Sequence, residues 1–252
     1  MITGEKSGNA AVGKGAGGMY SSAFCKVYNE FGWNYFPSAF GEQLLEWIRR
    51  NEVPVKTSLD LACGTGVLCE LLHDQGIEAA GMDFSEGMIA IARERNPGIA
   101  YEVADMILYR PEKKFDLVTC TGDAINHIID LRDVEKIFQN VHYYLKDGGY
   151  FIFDILNENE AVPGEAIDLD FSDTVKAKFT ISRTEDGMVN LNTSVYENGA
   201  FQFEENIRET IHDPSVICDL LRRSGLRVLK CADRLLEEAE NPSATWYVVA
   251  QK

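Results

Sequence analysis

Between residues 57 and 153 the chain alternates two hydrophobic rhythms. Short apolar runs at 59–62, 77–82, 99–103, 115–119 and 150–153 read as strands, and the continuous apolar centre of 115–119 is that of a strand buried on both faces. Between these runs, apolar residues return every three or four positions. They are Val67, Leu68, Leu71 and Leu72, then the segment 86–95, then Leu131, Val134, Ile137, Phe138, Val141 and Leu145. The punctuation agrees: Ser85 and Asp130 stand where helix N-caps belong, and Asn96-Pro97-Gly98 and Asp147-Gly148-Gly149 read as stops. Repeated strand–helix–strand units predict an α/β fold, a parallel sheet with helices on both faces.

After Asp154 the rhythm breaks. No long helical pattern appears before His212; instead three runs alternate apolar and polar residues, at 175–182, 188–196 and 201–211. Turn signals at Glu185-Asp186-Gly187 and Glu197-Asn198-Gly199 separate them, which predicts a three-stranded antiparallel meander. Asp213-Pro214 then opens a helix, Gly225 closes it, and strands follow at 226–231 and 245–250. Near the N-terminus, 20–28 and 41–50 read as helices around the aromatic group Phe31, Trp33, Tyr35, Phe36 and Phe40. Residues 1–18 hold six glycines and few large apolar groups, too little to order a segment, and are expected to form a flexible tail. The expected division is therefore a tail at 1–18, a main unit at 19–154 and 213–252 with an N-terminal aromatic lid, and an antiparallel insertion at 155–212 that caps the substrate.

One stretch carries chemistry. The first strand runs into Ala62-Cys63-Gly64-Thr65-Gly66 and then a helix, and a glycine turn of this kind lets a ligand lie against bare backbone. The second strand ends in Asp83, 19 residues after Gly64, where an acid meets the ribose hydroxyls of a nucleoside in a doubly wound fold. A dinucleotide fingerprint would need a third glycine where Cys69 stands, and its pyrophosphate would lie close to Asp60. A ligand with a sulfonium and an ammonium suits the acids better.

Asp-Leu-Ala-Cys-Gly-Thr-Gly at 60–66, followed by Asp83 and Asp105, resembles the nucleotide half of class I S-adenosylmethionine-dependent methyltransferases, in the branch acting on small molecules such as glycine or amino sugars. That family usually has glycine where this chain has Ala62. The resemblance implies a Rossmann-like, seven-stranded, mostly parallel sheet ending in an antiparallel hairpin, with S-adenosylmethionine as cofactor and S-adenosylhomocysteine as product. It also implies that Asp83 binds the ribose, that Asp105 bonds the adenine amino group and that Met106 offers the ring a backbone N–H. Tyr28, in a Phe-x-x-x-Tyr pattern with Phe24, would lie across the cofactor, with Tyr20 nearby. Gly64 and Gly66 would serve through the absence of a side chain, and Asp60 would hold the turn's amides or, through water, the ligand's ammonium. Cys63 reads as a small buried filler; Phe84 and Met88 pack either on the ribose and adenine or in the core. The loop after the fourth strand, from Cys120 and Thr121 to His127, should face the methyl group, with Asp123 attracting a cationic acceptor and His127 either accepting a proton or serving the structure.

Composition narrows the acceptor. With 24 basic and 40 acidic residues the formal charge is −16, which argues against a nucleic-acid partner. The Asp/Asn-Pro-Pro-Tyr/Phe and Pro-Cys motifs of base-modifying enzymes are missing, and no apolar run approaches a membrane span. No signal peptide is evident, and the six cysteines form neither CxxC pairs nor a zinc pattern, so reduced thiols and a cytoplasmic setting are expected. Exposed meander edges allow a homodimer. The expectation is methyl transfer to a small molecule, at amine nitrogen before oxygen. The competing readings are a nicotinamide-dependent oxidoreductase and a non-catalytic S-adenosylmethionine-binding protein.

Overall fold

The computed structural model describes residues 20–30, 32–157, 167–185, 187–236 and 245–252. The expected tail at 1–18, Phe31 of the aromatic group and Asp186 of the first meander turn lie outside these residues. In chain order the N-terminal helices are α1 (Ser22–Val27) and α2 (Tyr35–Arg50). Then come β1 (Thr57–Leu61), α3 (Val67–Asp74), β2 (Glu78–Asp83), α4 (Glu86–Arg95), β3 (Ala100–Val103) and β4 (Phe115–Cys120). A 3₁₀ turn at Ala124–His127 leads to α5 (Leu131–Tyr144) and β5 (Leu145–Leu156). The insertion holds β6 (Ile167–Asp170), β7 (Val175–Arg183), β8 (Met188–Glu197) and β9 (Ala200–Thr210). The chain closes with α6 (Pro214–Arg223), β10 (Arg227–Ala232) and β11 (Thr245–Gln251).

Seven strands form one sheet in the order β10-β11-β5-β4-β1-β2-β3. The five strands from β1 to β5 pair in parallel, and β11 runs antiparallel between β5 and β10. From β1 the chain builds outward first to β2 and β3, then to β4 and β5. The order reverses between β1 and β4, and ligands bind at such a switch point, beyond the strand C-termini. Helix caps fall where the sequence places them. Ser85 Oγ accepts from the Met88 N–H, and the Asp130 and Asp213 side chains accept from Arg132 and Ser215.

Phe138, Tyr144, Phe151 and Phe153 anchor the core between the sheet, α5 and α6; Phe40, Leu44, Leu68 and Leu72 anchor the opposite layer. Two boundaries move from their expected places. Helix α5 ends at Tyr144, before Asp147-Gly148-Gly149, because Leu145 already pairs with Phe115 and opens β5. Helix α2 starts at Tyr35 instead of 41, since Phe36 and Phe40 continue its apolar stripe into Leu44.

The insertion is a four-stranded antiparallel sheet, β6-β7-β8-β9, with one strand more than the expected meander. Its inward face follows the two-residue period: Val189 opposite Glu209, Leu191 opposite Ile207, Thr193 opposite Glu205, Val195 opposite Phe203. Asn126 ties it to the main sheet, donating through Nδ2 to the Thr210 carbonyl at 2.7 Å and accepting from the Leu156 N–H at 3.0 Å.

Candidate active site

At the switch point the chain leaves β1 through two left-handed residues, Ala62 (φ +55°) and Gly64 (φ +53°). An L side chain in that region costs about 1–2 kcal/mol, which accounts for the glycine usual at the first position. A Cβ on Gly64 would meet nothing within 4 Å, so bare backbone faces the space above. Asp83 holds the turn: its Oδ2 accepts from the Gly64 N–H at 2.9 Å and its Oδ1 from the Ser85 N–H at 2.8 Å. A carboxylate offers about four lone-pair sites, so acceptor capacity remains for a ligand's hydroxyls. Asp60 does not hold the turn's amides. It is buried below them, accepts from Thr119 Oγ1 at 2.6 Å, and burial pushes its carboxyl up to about 7.

A cavity of about 530 Å³ opens over this turn, within the usual size of a small-molecule site. Ala62, Cys63, Gly64, Asp83, Phe84, Met88, Asp105, Met106 and Thr121 all line it. Phe84 stands half-exposed at the mouth, while Met88 and Met106 are buried in the wall. Asp105 accepts from the Ile107 N–H at 2.9 Å, which fixes its carboxylate at the end of β3. Cys63 packs against Gly81 beside Cys69. Gly66 is the exception: it lies outside the lining. Its φ of +79° turns the chain under Tyr101, whose Oη is 2.5 Å from where a Cβ would sit, so its smallness serves packing.

The N-terminal aromatics form one wall. Tyr20, Phe24, Tyr28 and Trp33 line the cavity, with ring centroids 4.7 Å apart for Phe24 and Trp33 and 5.1 Å for Tyr20 and Phe24. Two hydrogen bonds tether this aromatic segment to the rest of the cavity wall. Ser21 Oγ donates to Glu205 Oε2 of β9 at 2.6 Å, and Thr65 Oγ1 of the glycine turn donates to Asn29 Oδ1 at 2.8 Å.

Opposite lies the loop after β4. Gly122 and Asp123 both take left-handed backbone, and their N–H groups donate to the two oxygens of Asp154, each at 2.9 Å. Asp154 is buried at the end of β5, and burial raises its carboxyl to about 7. This fold of the loop presents Asp123 and His127 to the cavity, where β9 adds Glu209. His127 Nε2 lies 3.8 Å from Asp123 Oδ1 and 3.6 Å from Glu209 Oε1. Burial dominates here: it pushes His127 down to about 4 and raises both carboxyls, so the imidazole is neutral at pH 7 despite its acidic neighbours.

Asp154 and Glu209 escaped the sequence reading, as did the partners of His212, which donates through Nε2 to the Ile125 and Ile128 carbonyls. Glu209 carried a signal: it shares the inward register of Ile207.

Six carboxyl residues line the cavity (Asp60, Asp83, Asp105, Asp123, Asp154 and Glu209), and among the described residues no lysine or arginine does. Such a wall rejects a pyrophosphate and suits a sulfonium and an ammonium; the donor set fits S-adenosylmethionine. An acid-held glycine turn at the switch point of a doubly wound sheet defines a nucleoside-binding α/β protein made for a cationic ligand.

Comparison with known proteins agrees with that class. Residues 59–149 match the methyltransferase-domain family, so the chain carries a methyltransferase domain, and its fold is the Rossmann-like fold of S-adenosylmethionine-dependent methyltransferases. It is similar to a solved S-adenosylmethionine-dependent methyltransferase of Clostridium acetobutylicum, with 26% identity and a TM-score of 0.78 over 91% of this chain and 97% of that one. It is 31% identical to a ubiquinone biosynthesis O-methyltransferase of Coxiella burnetii over 41% of this chain and 45% of that protein. It is also 31% identical to the dTDP-3-amino-3,6-dideoxy-alpha-D-glucopyranose N,N-dimethyltransferase of Streptomyces fradiae, over 40% of each. The chain spans about half the length of the curated relatives it matches. Among the described residues no helix is long and apolar enough to cross a membrane.

Proposed function

We propose that this protein transfers a methyl group from S-adenosylmethionine to an amine nitrogen of a small molecule. The observation that carries the reading is the cavity wall, six carboxyl residues with no opposing lysine or arginine among the described residues. The relatives' names divide between oxygen and nitrogen acceptors. The wall favours nitrogen, because a neutral hydroxyl gains little from a row of acids, whereas an amine arrives as a cation. The insertion at 155–212 acts as the cap over that acceptor, and the main unit is formed by 19–154 with 213–252.

When bound, S-adenosylmethionine supplies a methyl carbon made electrophilic by its sulfonium. The chain's own residues bind and aim. Asp83 accepts from the ribose hydroxyls, Asp105 from the adenine amino group, and the Met106 N–H donates to the ring. Phe84 and Met88 pack on the nucleoside, and Tyr28 with Tyr20 covers it. Thr121, Asp123 and His127 face the methyl end. In-line attack by a held lone pair needs positioning above all, an effect of about 7–11 kcal/mol in well-oriented reactions. Lid and cap exclude water from that line.

S-adenosylhomocysteine tests the reading. At 100 times its Kd it should add about 2.7 kcal/mol of stability, roughly 5–10 °C in Tm for a protein of this size. NAD at the same concentration should add nothing. A gain with NAD, or none with either, would overturn the proposal, and an amine panel without turnover would leave only a binding protein.

A further inference from the structure

Strand β9 brings a carboxylate into the cavity from the cap, directly opposite the loop that should face the methyl group. Glu209 is 2% exposed, and its Oε2 has no hydrogen-bond partner among the described residues, a costly state for a buried carboxyl oxygen. Its Oε1 lies 3.6 Å from His127 Nε2, and one polar atom each from Asp123, His127 and Glu209 fall within 4.8 Å of one another. That spacing leaves room for one small cation touching all three. The groups that face Glu209 are Asp123 just before the 3₁₀ turn and His127 within it, Asp154 from β5 behind Asp123, and the Tyr20 phenol from the N-terminal aromatics. Its cross-strand neighbour on β8, Val189, is apolar. Among the described residues no lysine or arginine lines this cavity, so no cation of the described wall answers the cluster.

We infer that Glu209, with Asp123 and His127, seats the acceptor as a primary or secondary ammonium, and that Glu209 accepts the ammonium proton. The inference rests on the methyl-transfer reading above, because only a neutral amine has a lone pair to offer. An ammonium carries up to three donors, and the cluster presents two carboxyl groups, whose ionised form the arriving cation favours, and a neutral imidazole. The step balances without a further reactant: one N–H bond breaks, its proton bonds to a Glu209 oxygen, and the electron pair stays on nitrogen. An ammonium and a carboxylate become a neutral amine and a neutral acid, which a buried site favours over a separated charge pair. His127 is the poorer acceptor. Burial holds it well below its ordinary value, whereas the same burial moves Glu209 toward the amine range.

Calorimetry on the full chain saturated with S-adenosylhomocysteine tests this, with cyclohexylammonium chloride and cyclohexanol as probes of one shape. Wild type should bind the ammonium at least about tenfold tighter than the alcohol, the effect of a charge-assisted hydrogen bond. Glu209→Gln should abolish that preference, and Asp123→Asn should reduce it, each leaving S-adenosylhomocysteine affinity within about twofold. The ammonium heat measured in two buffers should reveal a proton taken up or released by wild type and not by Glu209→Gln. The inference fails if Glu209→Gln keeps the preference, or if wild type shows none, binding of neither probe included. It also fails if manganese(II) binds one-to-one and is lost in Glu209→Gln, which would make the cluster a metal site. If S-adenosylhomocysteine itself does not bind, the methyl-transfer reading falls and this inference with it.

Discussion

The buried acids beneath the cavity predict an unusual response to pH. Asp60 is 2% exposed, and burial, with Asp83 and Asp154 nearby, pushes it up to about 7, the Thr119 hydroxyl pulling the other way. In the unfolded chain the same carboxyl ionises near ~3.9. The folded state thus keeps a proton that the unfolded state gives up, so stability is fullest below about 4 and is lost as pH rises toward 7. Between pH 5 and 8 one such group subtracts about 2.6 kcal/mol by linkage, or roughly 5–10 °C in Tm. Asp60→Asn is the right perturbation, because the amide keeps the shape, can still accept from Thr119 and cannot titrate. Surface carboxylates held low by partners, such as Glu46 beside Arg49, titrate at lower pH and equally in both proteins. The difference between wild type and Asp60→Asn therefore isolates the buried group. Urea unfolding at half-unit steps from pH 5 to 8 should show wild type losing about 2–3 kcal/mol more than the variant. Curves that stay parallel within about 0.5 kcal/mol would refute the burial argument, since a solvated Asp60 has nothing to lose over that range.

Two further outcomes follow from the tethers. Asp83→Asn should weaken S-adenosylhomocysteine binding at least about tenfold by calorimetry, because the amide loses one acceptor edge toward the ribose and presents N–H groups to the Gly64 or Ser85 N–H; unchanged affinity would remove Asp83 from the site. Glu205→Gln should loosen the lid, whose Ser21 Oγ bond of 2.6 Å runs to this carboxylate, and raise the S-adenosylhomocysteine off-rate several-fold with less than about 1 kcal/mol change in global stability. An unchanged off-rate would mean that the lid needs no anchor on the cap.

The parts of this fold that could be read from sequence are those set by neighbours in the chain. The caps at Ser85 and Asp130, and the 19-residue spacing from Gly64 to Asp83, are local or one βαβ unit long. Elements decided by a distant partner were harder. Ile167-Asp168-Leu169-Asp170 offers two apolar residues in four and becomes a strand because β7 lies alongside it. The end of α5 looked governed by Gly148-Gly149, yet Phe115 of β4 recruits Leu145 into the sheet first. Asp60 lies under the turn as expected but does not bond its amides, because the Thr119 hydroxyl that claims it comes from the neighbouring strand. Glu209 shows the limit most plainly. Its alternation with Ile207 fixes which side of β9 it occupies, but nothing local tells whether that side meets solvent, core or cavity.

The insertion touches both sides of the cavity. Glu205 and Glu209 sit on the same face of β9, separated by Ile207; the first holds Ser21 of the lid and the second reaches the acceptor loop. At the strand's C-terminal end, Asn126 fastens Thr210 to the turn that carries His127. A rigid-body shift of β9 large enough to withdraw Glu209 would therefore pull on Ser21 and on the 3₁₀ turn together. On the proposed reading, lid closure over the nucleoside and assembly of the acceptor cluster would be coupled through one strand. The acceptor seat should accordingly be complete only when the lid is down, an order of events in which the nucleoside binds first and the amine second.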